Sequence, residues 1–124
     1  MSLKQPHKIR VPYNDLEIIS HASGGGGNLI MGYQDQLFTG YAIIDYFPDT
    51  KDIQFEDEYK NGEHIGWDNE YYPTGELKSE CLTIGIHFSM DTTEYDINGN
   101  VTSHIRVVSD TTYSELVAKY NLLD

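Results

Sequence analysis

Aromatic residues followed by a chain reversal recur along this sequence at a nearly constant interval. Tyr46-Phe47-Pro48-Asp49-Thr50, Tyr71-Tyr72-Pro73-Thr74-Gly75 and Tyr95-Asp96-Ile97-Asn98-Gly99 begin 25 and 24 residues apart, and Tyr59-Lys60-Asn61-Gly62 falls between the first two. A turn about every 12 residues is the spacing of short antiparallel strands joined in series. Asn61-Gly62 and Asn98-Gly99 suit two-residue hairpin loops, whose central positions need positive φ, a conformation that Asn and Gly adopt at least steric cost. Gly75, after Pro73, has the same part. Gly62, Gly75 and Gly99 are therefore read as turn residues rather than as members of a reactive site. The turn at Pro48 has Thr50 in place of glycine, which makes the first unit the most degenerate, as terminal repeats often are.

The segments between the turns carry strand-forming residues: Tyr41 to Phe47, Asp52 to Tyr59, His64 to Tyr72, Glu76 to Ile84, Thr92 to Ile97 and Asn100 to Val108. Where Ile53, Phe55, Asp57 and Tyr59 alternate with Gln54, Glu56 and Glu58, Glu56 and Glu58 share a strand face, which is expected to be solvated. Ahead of the strands, Ser23-Gly24-Gly25-Gly26-Gly27-Asn28 has almost no side chain to pack and reads as a loop. It lacks the Gly-Lys-Ser/Thr ending of a phosphate-binding loop, and Leu29-Ile30-Met31 after it reads as a strand. Near the other end, Thr112-Tyr113-Ser114-Glu115 has the form of a capping box ahead of Leu116, Val117, Ala118 and Tyr120 at helical spacing. This predicts one helix, roughly 112–121, that covers the sheet through Leu116, Tyr120 and Leu123.

At 124 residues the chain is expected to be a single domain: an N-terminal segment with the glycine-rich loop (1–36), a repeat sheet (37–109) and a C-terminal helix (110–124). Twenty Asp plus Glu against eight Lys plus Arg give a formal charge of −12, which disfavours nucleic-acid phosphates; on charge alone the first reading is that acidity keeps the chain in solution, and the second is an acidic face complementary to a basic protein partner. No apolar run approaches the length of a membrane span, so no membrane insertion is expected. Cys81 is the only cysteine. A reducing, cytoplasmic setting is the resulting expectation.

Leu37-Phe38-Thr39-Gly40, Tyr59-Lys60-Asn61-Gly62, Gly66-Trp67 and Glu70-Tyr71-Tyr72-Pro73-Thr74-Gly75-Glu76-Leu77-Lys78-Ser79-Glu80 together resemble the MORN-variant repeat family. The resemblance covers 37–104 and is strongest over 59–80. After Glu80 the expected Tyr-x-Asn-Gly is replaced by Cys81-Leu82-Thr83-Ile84-Gly85-Ile86-His87. The resemblance implies a mainly β fold, an elongated, twisted antiparallel sheet of consecutive β-hairpins (MORN-like repeats) with one C-terminal α-helix. Within the family that the resemblance names, several members are antitoxin- or immunity-like proteins that neutralise a toxin partner, while related MORN proteins act as scaffolds or associate with membranes; the first is the expectation taken for this chain, and the resemblance implies no chemistry.

The candidate reactive motifs yield to simpler readings. Asp96-Ile97-Asn98-Gly99-Asn100 has its glycine at the fourth place instead of the sixth place of an EF-hand loop, and Val107 stands where the bidentate Glu belongs. His64, His87 and His104 are unevenly spaced, and neither a nucleophile elbow nor a motif around Cys81 is present. No catalytic residue, metal site or cofactor is therefore expected. In a single-layer sheet some aromatics should stay accessible, and the expected partner-binding patch comprises Tyr41, Trp67, Tyr71 and Tyr72 rimmed by Glu58, Asp68 and Glu70. The alternative is a carbohydrate- or small-ligand-binding module that stacks its ligand on Trp67; an enzyme ranks last. Open sheet edges leave room for a homodimer.

Overall fold

The computed structural model describes residues 3–21, 29–85 and 88–124. The glycine-rich loop expected over Ser23 to Asn28, and His87, lie outside them. The chain runs β1 (Arg10–Pro12), a 3-10 turn (Tyr13–Asp15), β2 (Glu17–His21), β3 (Leu29–Tyr33), β4 (Gln36–Leu37), β5 (Gly40–Tyr46), β6 (Ile53–Lys60), β7 (Glu63–Tyr71), β8 (Leu77–Ile84), β9 (Ser89–Tyr95), β10 (Val101–Arg106) and α1 (Asp110–Tyr120). It is mainly β, with one α-helix among the described residues, at the C-terminal end, as the repeats and the capping signal imply. Strands β5 to β10 follow one another as antiparallel hairpins, β1 adds in parallel beside β5, and β2 to β4 make a second, three-stranded sheet. Among the described residues no helix is long and apolar enough to cross a membrane.

Local turn chemistry explains the hairpins. Asn61 (φ 50°) and Gly62 (φ 87°) both take positive φ, so β6 and β7 are joined by a two-residue loop with the twist that paired strands need. The expectation of the same loop at Asn98-Gly99 is corrected. Only Gly99 has positive φ there; its N–H donates to Asp96 O at 3.0 Å and Asp96 N–H donates to Asn100 O at 2.8 Å, which closes a three-residue loop. Asp96 selects this longer form, because its Oδ1 accepts from the N–H groups of Asn98 and Asn100 at 2.9 and 3.0 Å. The Tyr72–Gly75 turn has the same bonding, so these two turns are the equivalent joints of the repeat.

Both faces of the large sheet are covered in part, each by a different element. On one side Tyr41, Ile65, Trp67, Leu82, Met90 and Leu122 form a core onto which Tyr113, Leu116, Val117 and Tyr120 of α1 pack. On the other, Val11, Ala42 and Tyr59 pack with Met31 and Phe38 of the segment that carries the small sheet. Gly62 docks the two sheets. Met31 N–H donates to its carbonyl at 2.9 Å, its own N–H donates to Phe38 O at 2.7 Å, and a Cβ on it would stand 2.9 Å from Met31 O.

The helix begins earlier than the Thr112 capping box would place it. Ser109 is the N-cap and accepts from Thr112 N–H at 3.1 Å, which makes Thr112 an interior first-turn residue. At the other end Asn121 (φ 54°) turns the chain into the left-handed region, and this buries Leu122 completely and leaves Leu123 exposed, the reverse of the expectation. We expect Ser109→Ala to cost about 1 kcal/mol, read as a lower urea midpoint at unchanged slope.

Candidate functional site

The N-terminal segment crosses the helix-bearing face of the sheet, and its basic residues meet acids of β6 and β8. Arg10 Nε and Nη2 donate to Glu56 Oε1 and Oε2 at 2.7 and 3.0 Å. Lys8 Nζ bonds Glu58, which Lys60 also approaches at 3.3 Å. Lys4 Nζ lies 2.7 Å from Glu80. The same cations cover aromatic rings: Lys4 Nζ sits 3.8 Å from the Trp67 ring centre and Arg10 4.5 Å from that of Tyr41. Lys4 N–H donates to Tyr71 Oη, and Tyr41 Oη donates to Gln5 Oε1 at 2.7 Å.

Beneath this strap the acids are bonded from below as well. Glu56 accepts from Tyr71 Oη at 2.6 Å and from Asn69 Nδ2 at 3.0 Å. Glu58 accepts from Trp67 N–H at 3.0 Å, which is open to it because Gly66 (φ 123°) has no side chain: a Cβ there would stand 2.2 Å from Glu58 Oε1. Both glutamates are fully buried. The expectation that they lie on a solvated strand face is therefore corrected, and the physical reason is that Arg10 and Lys8 of the first ten residues, with Lys60 beside Glu58, take the place of water. Burial, followed by the charge of Glu58, pushes the Tyr41 hydroxyl above its ordinary pKa, and burial with Glu56 does the same for Tyr71. For Arg10 burial acts downward, yet its bonds and charge interaction with Glu56 outweigh it and raise the pKa. Asn69 Oδ1, also buried here, has no hydrogen-bond donor within the described residues.

The residues expected to form an exposed patch divide into three groups. Tyr41, Glu58, Trp67 and Tyr71 come together, but all four are buried beneath the strap. Their accessibility is a second correction, since the sheet is covered on both faces rather than a single open layer. A ligand-stacking role for Trp67 meets the same obstacle, because Lys4 already occupies its face. Glu70 and Tyr72 are half-buried and line a separate open groove of about 400 Å³ with Lys78, Tyr95 and Asp96. Tyr72 Oη donates to Tyr95 O at 2.8 Å, and Glu70 lies 3.3 Å from Lys78 Nζ.

Asp68 belongs to the opposite face of the sheet. It is the direct cross-strand partner of Asp57, and His64 Nε2 lies 2.7 Å from Asp68 Oδ1 and 3.8 Å from Asp57 Oδ2. Burial and the neighbouring Asp68 push the Asp57 carboxyl up to about 7. Burial pulls His64 down, but its hydrogen bond and charge interaction with Asp68, helped by Asp57, raise it overall. Of the other histidines considered for a metal row, His104 pairs with Asp91 at 3.0 Å, away from His64.

Sequence reasoning missed Lys4, Lys8 and Arg10. A signal was present: three of the eight Lys and Arg residues of an acidic chain stand within its first ten positions. Against family models, curated proteins and solved structures, the chain has no match.

Proposed function

We propose that the protein is a non-enzymatic protein-interaction module, antitoxin- or immunity-like as its resemblance to MORN-variant repeats implies, that binds and occludes a basic, toxin-like partner. The observation that carries this reading is the chain's own strap. An acidic and aromatic surface built from Tyr41, Glu56, Glu58, Trp67, Tyr71 and Glu80 is already complemented by Lys4, Lys8 and Arg10, which act as an intramolecular stand-in for a basic segment. A partner segment with Lys and Arg at similar spacing would displace residues 3–9 and take over the bonds of Lys4 and Lys8 to Glu80 and Glu58, while Arg10, held in β1, keeps Glu56, and the free Asn69 Oδ1 offers the partner one acceptor more. The strap gives way more readily than a strand because it is anchored mainly through side chains. A cytoplasmic setting, where the half-buried Cys81 stays reduced, belongs to the same proposal.

The strap competes with the partner, so the apparent affinity is the intrinsic affinity reduced by the fraction of molecules with an open seat. The test is calorimetric titration with a capped peptide Lys-Gln-Pro-His-Lys-Ile-Arg. The Lys4→Ala/Lys8→Ala protein is expected to bind it at least tenfold more tightly than the unaltered protein, with affinity falling as salt is raised. Absence of saturable binding to both proteins at low ionic strength, with circular dichroism unchanged, overturns the reading.

A further inference from the structure

The geometry points to a binding site for a first-row divalent transition metal, zinc being the type case, formed by Asp57, His64 and Asp68 on the sheet face opposite the strap. One nitrogen and two carboxylate oxygens of these side chains lie within 4.8 Å of one another. At metal–ligand distances near 2.0–2.2 Å, neighbouring donors around a tetrahedral ion stand about 3.3–3.6 Å apart. The two distances from His64 Nε2, 2.7 and 3.8 Å, bracket that range, so side-chain rotation alone makes room for an ion.

Charge supplies a second, independent argument. Asp57 and Asp68 oppose each other directly across β6 and β7, an arrangement of like charges that destabilises a sheet. The other acids that form ion pairs among the described residues each meet a lysine or arginine: Glu56 has Arg10, Glu58 has Lys8 and Lys60, Glu70 has Lys78, Glu80 has Lys4, and Asp91 and Asp110 share Arg106. Asp57 and Asp68 have His64 alone. A neutral imidazole offsets neither charge and an imidazolium offsets one, whereas a divalent cation offsets both.

The donor set selects the class of ion. Magnesium and calcium prefer all-oxygen shells, while an imidazole nitrogen with two carboxylates suits zinc and its first-row neighbours. The His64 ring is held in plane by stacking on Tyr59, 5.3 Å between centres and 20° between planes, so its orientation is set before any ion arrives. His64 is only 10% exposed, but the two aspartates are 28% and 30% exposed and give an ion its way in. Three protein donors leave at least one position to water, which makes this an open site rather than a closed structural one.

The experiment is isothermal titration of the untagged, chelator-treated full chain with zinc chloride and, separately, magnesium chloride, accompanied by cobalt substitution read in the visible spectrum. One zinc per chain, little magnesium binding and a cobalt spectrum of mixed nitrogen and oxygen ligation are expected. His64→Gln, Asp57→Asn and Asp68→Asn should each weaken zinc binding more than tenfold, and the two Asp→Asn changes, which remove a like-charge contact, leave the fold intact. No saturable zinc binding overturns the proposal, as does zinc binding that survives all three substitutions.

Discussion

Replacing Glu56 with alanine is expected to cost about 3–5 kcal/mol of folding free energy, a large part of the roughly 5–15 kcal/mol that holds a domain together. The carboxylate accepts two bonds from Arg10, one from Asn69 and one from Tyr71, and water does not reach it. Its removal strands a nearly buried guanidinium together with two polar side chains, and most of the loss comes from that uncompensated desolvation rather than from the missing attractive pair. A second substitution distinguishes the two causes. Arg10→Met added to Glu56→Ala should recover part of the loss, because the stranded charge is gone. Urea denaturation of the two single variants and the double variant measures this directly. Two separate losses that simply add would show that the network does not act as a unit.

Gly66→Ala is the second large effect, at about 3 kcal/mol or more. Positive φ alone costs an L-residue roughly 1–2 kcal/mol. At Gly66 the new methyl would also be driven against the buried carboxylate of Glu58, 2.2 Å from Oε1 and 2.6 Å from Cδ, and would displace the bond from Trp67 N–H. Losing a buried charge-assisted bond adds about 1–3 kcal/mol. Gly99→Ala is the control. It shares the positive φ, at 87°, but a Cβ there would meet nothing within 4 Å, so it should cost only about 1 kcal/mol. Equal losses at the two positions would mean that backbone strain alone matters and that the space filled by Glu58 does not.

Glu56 and Gly66 both lie where local sequence signals run out. Gly62, Gly75 and Gly99 were legible as turns because a hairpin loop is decided by two or three neighbouring residues, and all three take positive φ. The strand segments and the helix were legible for the same reason, to within a few residues. Gly66 was visible only as part of a Gly-Trp pair; its role depends on a glutamate eight residues earlier that folds over it from the adjacent strand. The candidate surface was half legible. Tyr41, Glu58, Trp67 and Tyr71 do come together, but alternation along a strand reveals which residues share a face and not which face is covered.

By itself, then, the sequence determined where this chain reverses, that its body is a series of hairpins, and that a helix closes it, since each of these is settled by neighbouring residues. Only the tertiary structure decided that Glu56 and Glu58 of β6 are buried, that Arg10 and Lys8 neutralise them while Lys4 meets Glu80 of β8, and that Asp57, His64 and Asp68 converge. The contacts of the strap join residues 46 to 76 positions apart, and no local preference selects among the many partners available at such separations. They form because a carboxylate taken out of water needs a cation, and the folded sheet brings this one within reach.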